Sequence, residues 1–216
     1  MNTSIGRKVA MALSALFLIV FLLQHLTINM MSVFSADLFN EVSHFMGHNP
    51  IVQFALQPIL IFGIIFHFIM GFILELQNKK GRDTKYEVYK GGESSTWMSR
   101  NMIWSGLAIL GFIFLHFYDF WVHEINVKYI NVEPENPTRY FGELKAKFVD
   151  IWRVLIYVVS FVFLGLHLNH GFQSAFQSVG ARGHYSPTLK KIGTLYAILV
   201  PFGFVFIALF HHFTQS

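Results

Sequence analysis

The chain has 216 residues and a net charge of +4; 54% of its residues are hydrophobic, 13% are charged and 25 are phenylalanine. That balance excludes a water-soluble domain, which would not leave membrane-length stretches free of charge. The absence of cysteine excludes iron–sulfur clusters, thiolate-ligated haem and covalent c-type haem, so any iron held here takes His or Met.

In chain order, apolar runs at about 9–30, 51–76, 101–122, 151–176 and 192–213 are each long enough to cross ~30 Å of hydrocarbon at about 1.5 Å per residue. The expected fold is an all-α membrane protein, a single transmembrane domain over 1–216 built as a bundle of five helices. Arg7 and Lys8 precede the first run, but it is longer than the apolar core of a secretory signal and no small-residue cleavage site closes it. It therefore reads as the first span. The connection from Ser32 to Pro50 carries no Lys or Arg. The second carries Lys79, Lys80, Arg82, Lys85, Lys90 and Arg100, a charged surface of the kind a soluble partner covers. The third mixes Lys128, Arg139, Lys145 and Lys147 with Glu124, Glu133, Glu135 and Glu143, and the fourth carries Arg182, Lys190 and Lys191. Basic residues set beside apolar runs are topology signals, not a nucleic-acid surface. Because they stay on the cytoplasmic side, the N-terminus and the second and fourth connections are expected inside, and the first and third connections and the C-terminus outside.

Each of the first four runs holds a histidine deep within it: His25, His67, His116 and His167. Polar side chains inside spans are rare, face the bundle interior and mark function. Neutral imidazole is the commonest metal ligand, and the iron of a b-type haem takes one from each of two facing helices, so four such histidines suit two haems. His25 lies seventeen residues beyond Lys8, and His116 sixteen beyond Arg100. Both are thus expected roughly 25 Å from the cytoplasmic flank. His67 precedes Lys79 by twelve residues and His167 precedes Arg182 by fifteen, on helices running the other way. These two are expected roughly 18 to 22 Å from that flank. The four therefore sort into an outer pair, His25 with His116, and an inner pair, His67 with His167. Gly71 and Gly171 each follow an inner histidine by one turn, leaving room either for a flat macrocycle or for a helix contact.

The outer rim offers His44, His48, Glu41, Tyr118, Asp119, His123, Glu124 and Arg153 as proton donors, and no spacing rule selects among them. His44 and His48 stand at i and i+4 without a carboxylate at ligand spacing and are read as solvated. Arg153 either holds a haem propionate or snorkels to headgroups. Arg7, Lys8, Arg100 and Arg182 either neutralise propionates of the inner haem or anchor the topology. Glu75 either serves a proton route or meets the interface; His211 and His212 are read as the polar end of the fifth helix.

With His25-Leu-Thr-Ile-Asn29, single histidines within the first four of five spans, and the stretch HLNHGFQSAFQSVG from His167 to Gly180, the chain resembles the dihaem cytochrome b membrane anchors of succinate:quinone oxidoreductases. The resemblance covers nearly the whole chain. It implies two b haems, with His25 and His116 ligating the one farther from the partners and His67 and His167 the nearer. It also implies a flavoprotein and an iron–sulfur partner on the cytoplasmic side of a bacterial inner membrane, and quinone chemistry, commonly with menaquinone. The family pattern places the fourth ligand thirteen residues before the glycine that Gly180 matches, which selects His167 over His170. Some members carry a glutamate tied to proton movement two residues before that ligand; this chain has Gly165 there.

Two rivals are weighed against this expectation. A dihaem b subunit of nitrate reductase or hydrogenase type tends to place two ligands far apart on one helix, a pattern lacking here. A haem-free transporter with a histidine proton relay is expected to show Asp or Glu between the histidines or broken helices in related halves. Pro58 and Pro201 interrupt two runs, which proline commonly does in membranes.

Overall fold

The computed structural model describes residues 4–80, 102–181 and 186–215. Arg82, Lys85, Lys90, Arg100 and Arg182, which mark two connections, lie outside the described residues. Among the described residues there is no strand, and five helices are long and apolar enough to cross a membrane. The helices are α1 (Ser4–Phe34), α2 (Ala36–His48), α3 (Gln57–Lys80), α4 (Met102–His116), α5 (Arg139–Lys147), α6 (Ile151–Ser178) and α7 (Ser186–Phe213). A π-helical turn over Val52–Leu56 leads into α3. Two more, Phe117–Val122 and Asn126–Ile130, prolong α4, so the third span runs to Ile130 and not to the expected 122. Helical hydrogen bonding carries the backbone through the polar stretch that hydropathy reads as a loop.

Local chemistry sets the boundaries. Ser35 is extended (φ −155°, ψ 122°) and its Oγ accepts from the Leu38 amide at 3.2 Å, ending α1 and capping α2, with Asp37 in the first turn favourable to the helix dipole. Asn49 stops α2 ahead of Pro50, and its Oδ1 then accepts from the amides of Ile51 and Val52 at 2.9 and 3.3 Å, starting the next helix. Asp150 caps α6 by accepting from the Trp152 amide at 3.0 Å. At its other end Gly180 (φ +88°) adopts the left-handed conformation, with Ala181 N donating to Phe176 O and Gly180 N to Gln177 O. That is a Schellman stop, and it needs a residue without a Cβ. Among the described residues the fifth span is helical from Ser186, ahead of the expected 192.

α6 and α7 form the most extensive packing in the bundle. Pro201, inside α7, cannot donate to Ala197 O, and Gly165 of α6 lies against that carbonyl, 3.1 Å from where a Cβ would stand. Gly203 and Gly193 likewise admit Leu26 and Phe172, a use of small residues common between spanning helices. α1 packs on α3, α6 and α7, and α4 on α6, whereas α3 touches α4 only lightly. Phe54, Ile59, Phe62, Ile65 and Ile69 of the α3 span are exposed, as are Leu13, Val20 and Leu23 of α1, a surface suited to lipid. The best-buried core lies toward the face opposite the start of α1. There Phe39, Leu144 and Phe148 close over Val154, Tyr157, Phe161, Val200, Phe204, Ile207 and Ala208.

Candidate functional site

α1 and α4 run in one direction and α3 and α6 in the other, so residues on different spans meet at common levels. The rings of His25 and His116 lie 5.7 Å apart, centre to centre, with planes at 86°. Those of His67 and His167 lie 6.3 Å apart at 70°. A transition metal sits about 2 Å from a ligating imidazole nitrogen, so two imidazoles on opposite sides of one ion have centres roughly 6 Å apart. Both pairs fit such a group. It is the ring of His167, not of His170, that faces His67.

The pairs differ in their surroundings. Phe21 stacks on His25 at 5.4 Å and Phe112 on His116 at 5.7 Å, with Phe204 and Phe120 completing an aromatic collar. Among the described residues His116 Nδ1 is buried without a hydrogen-bond partner. The His67–His167 pair is flanked by hydroxyls: Ser14 Oγ lies 3.0 Å from His67 Nδ1, and Ser105 Oγ 3.2 Å from His167 Nδ1. Each serine also donates to the carbonyl three residues before it, Met11 at 2.8 Å and Met102 at 2.9 Å. These contacts put His67 level with Ser14, eleven residues before His25 on α1. The two pairs therefore stand about 16 Å apart along the bundle.

Neither serine stands out by composition, yet a repeat exposes both. Met11, Ser14 and His25 on α1 recur with identical spacing as Met102, Ser105 and His116 on α4. The partner helices carry His67 with Gly71 and His167 with Gly171. A Cβ on Gly71 would meet Met11 Cε at 3.6 Å, and one on Gly171 would meet Met102 Cε at 3.5 Å. These are ordinary contact distances, so each glycine faces a methionine and is not wedged against a backbone.

At the far face, Asp119 is completely buried; Tyr157 donates to its Oδ2 at 2.8 Å and Arg153 lies 3.1 Å from Oδ1. Arg153 thus pairs with a carboxylate and does not snorkel to headgroups. His211 is also completely buried, bonded to Ser32 Oγ at 2.8 Å, and is no solvated helix end. His44 finds a carboxylate the sequence did not bring near it: Glu135 is 3.0 Å away, and donor atoms of His44, His48 and Glu135 lie within 4.8 Å of one another. Glu124 binds Lys128 at 2.6 Å and Arg139, which also grips Glu143 at 2.8 Å. Burial, followed by the charge of Glu124, pushes the Tyr140 phenol up to about 12. Beside this network a cavity of about 230 Å³ is lined by Gln53, Phe54, Gln57, Trp121, Glu124 and Tyr129, among others.

Comparison with protein-family models, with curated proteins and with solved structures gave no match.

Proposed function

We propose that this chain is the dihaem cytochrome b anchor of a succinate:quinone oxidoreductase, set in a bacterial cytoplasmic membrane with its N-terminus inside. One observation supports this above all: the single deep histidines of four apolar spanning helices gather as two facing imidazole pairs, at two levels. His67 and His167 hold the haem nearer a cytoplasmic iron–sulfur subunit, itself fed by a flavoprotein that interconverts succinate and fumarate. His25 and His116 hold the haem nearer the outer face.

When bound, the two haems supply one-electron redox centres between the soluble partner and quinone. The chain's own residues hold, orient and insulate. The four imidazoles would hold the two haem irons, and the collar of Phe21, Phe112, Phe120 and Phe204 keeps water from the outer pair. Reducing menaquinone to its quinol takes two electrons and two protons. The outer-face cavity joins an apolar wall to Gln53, Gln57 and Trp121, whose amides and indole can hydrogen-bond quinone oxygens, with the ion-paired Glu124 and Lys128 at its edge. A proton route through a carboxylate at position 165 is not part of this proposal, since that site is glycine pressed against α7.

The test is a reduced-minus-oxidised spectrum of the chain purified with its native partners, with haem counted per polypeptide. Two b haems are expected, one lost in His25→Ala and His116→Ala and the other in His67→Ala and His167→Ala. Material that retains its partners but contains no haem would overturn the proposal and favour a histidine proton relay.

A further inference from the structure

We propose that Ser14 and Ser105 are positioning residues, each fixing the tautomer and ring direction of an imidazole on the neighbouring helix so that the inner pair presents Nε2 as its ligand atom. This rests on the haem proposal above and adds to it what sets the character of one centre.

The inference follows from counting protons. A serine hydroxyl has one proton to donate, and a carbonyl oxygen can only accept. Ser14 Oγ is bound to Met11 O and Ser105 Oγ to Met102 O, so each hydroxyl proton is already placed. Toward the imidazoles, 3.0 and 3.2 Å away, each serine oxygen can then only accept, and the proton between them belongs to Nδ1 of His67 and of His167. An imidazole protonated at Nδ1 carries its free lone pair on Nε2. Hydrogen-bonding the other ring nitrogen of a ligating histidine is the usual means of fixing its orientation and raising its basicity.

Satisfying the hydroxyls does not account for this placement. A serine in a spanning helix is satisfied by its own upstream carbonyl. Here two serines, at the same point of a repeated Met-x-x-Ser pattern, each reach across to a histidine of the next helix. The outer pair is built differently: among the described residues His116 Nδ1 has no hydrogen-bond partner, and Asn29 Nδ2, 3.5 Å from His25 Nε2, donates at 2.8 Å to the His25 carbonyl. The two centres are therefore tuned differently by the chain.

The experiment is a redox titration of the intact complex, followed at the haem absorption bands, in wild type, Ser14→Ala, Ser105→Ala and the hydroxyl-retaining Ser14→Thr and Ser105→Thr. Removing the acceptor makes the imidazole a poorer electron donor. Each alanine variant is then expected to raise the midpoint potential of one haem and leave the other in place. The same haem should pass to a competing apoprotein about 10- to 100-fold more readily, and the threonine variants should stay near wild type. Shifts in both haems, or in neither, would show that the serines serve only helix packing and overturn the inference. Wild-type complex without two haems would instead overturn the haem proposal on which it rests.

Discussion

Asp119 is a carboxylate buried within a span, and its two partners both come from one turn of α6. Removing the Tyr157 hydroxyl should lose a hydrogen bond to a charged group, about 1.5–3 kcal/mol. Removing Arg153 should leave a buried charge unpaired, at about 3–5 kcal/mol. The expected order of stability is therefore wild type, Tyr157→Phe, Arg153→Ala, measured by thermal unfolding in detergent; equal stability of all three would mean that water already reaches Asp119. At this scale the sequence was partly legible. The deep histidines were visible because an imidazole in hydrocarbon needs a cause. The partners of Arg153, His44 and His211 were not, since Asp119 and Ser32 lie on other helices and Glu135 in the connection before α5, and such pairings depend on helix rotation and loop path that hydropathy does not record. Ser14 and Ser105 were legible in principle, through the repeat they share with Met11 and Met102.

Among the elements, the contact of α6 with α7 gives the sharpest expectation. The carbonyl of Ala197, left without a donor by Pro201, stands 3.1 Å from where a side chain at 165 would begin. Gly165→Ala should destabilise the bundle by about 1–3 kcal/mol through overpacking, and Gly165→Glu should cost more by adding a charge with no room. Both are read as loss of folded, detergent-soluble protein on heating; an unchanged Gly165→Ala would mean that the helices part freely there. The five spans were readable from hydropathy alone, but α2 and α5 were not, because short amphipathic helices resemble polar connections until a core such as Phe39 and Leu144 shows which face is covered.

For the whole molecule, the alternation of five spans fixes only relative direction; the basic flanks supply the absolute sense. The chain has no cysteine, so single cysteines at Ser4 and Gln215 report on a clean background. In intact cells an impermeant thiol reagent should label position 215 and spare position 4; the reverse pattern would invert the proposed arrangement of partners and quinone. Charge placement predicts this orientation from the sequence, whereas the closing of the far face by α2 and α5 emerged only with the fold.

The repeated Met–Ser–His unit also has a geometric consequence. It assigns α1 with α3 to one half and α4 with α6 to the other, in the manner of a parallel repeat. Each imidazole pair joins equivalent residues, one from each half. Residues that meet their own counterparts lie on the line that relates the halves, so the two pairs are stacked along it. A doubled helical hairpin thus stacks two facing imidazole pairs along one line through the bundle, while α7 packs on one helix of each half, α1 and α6.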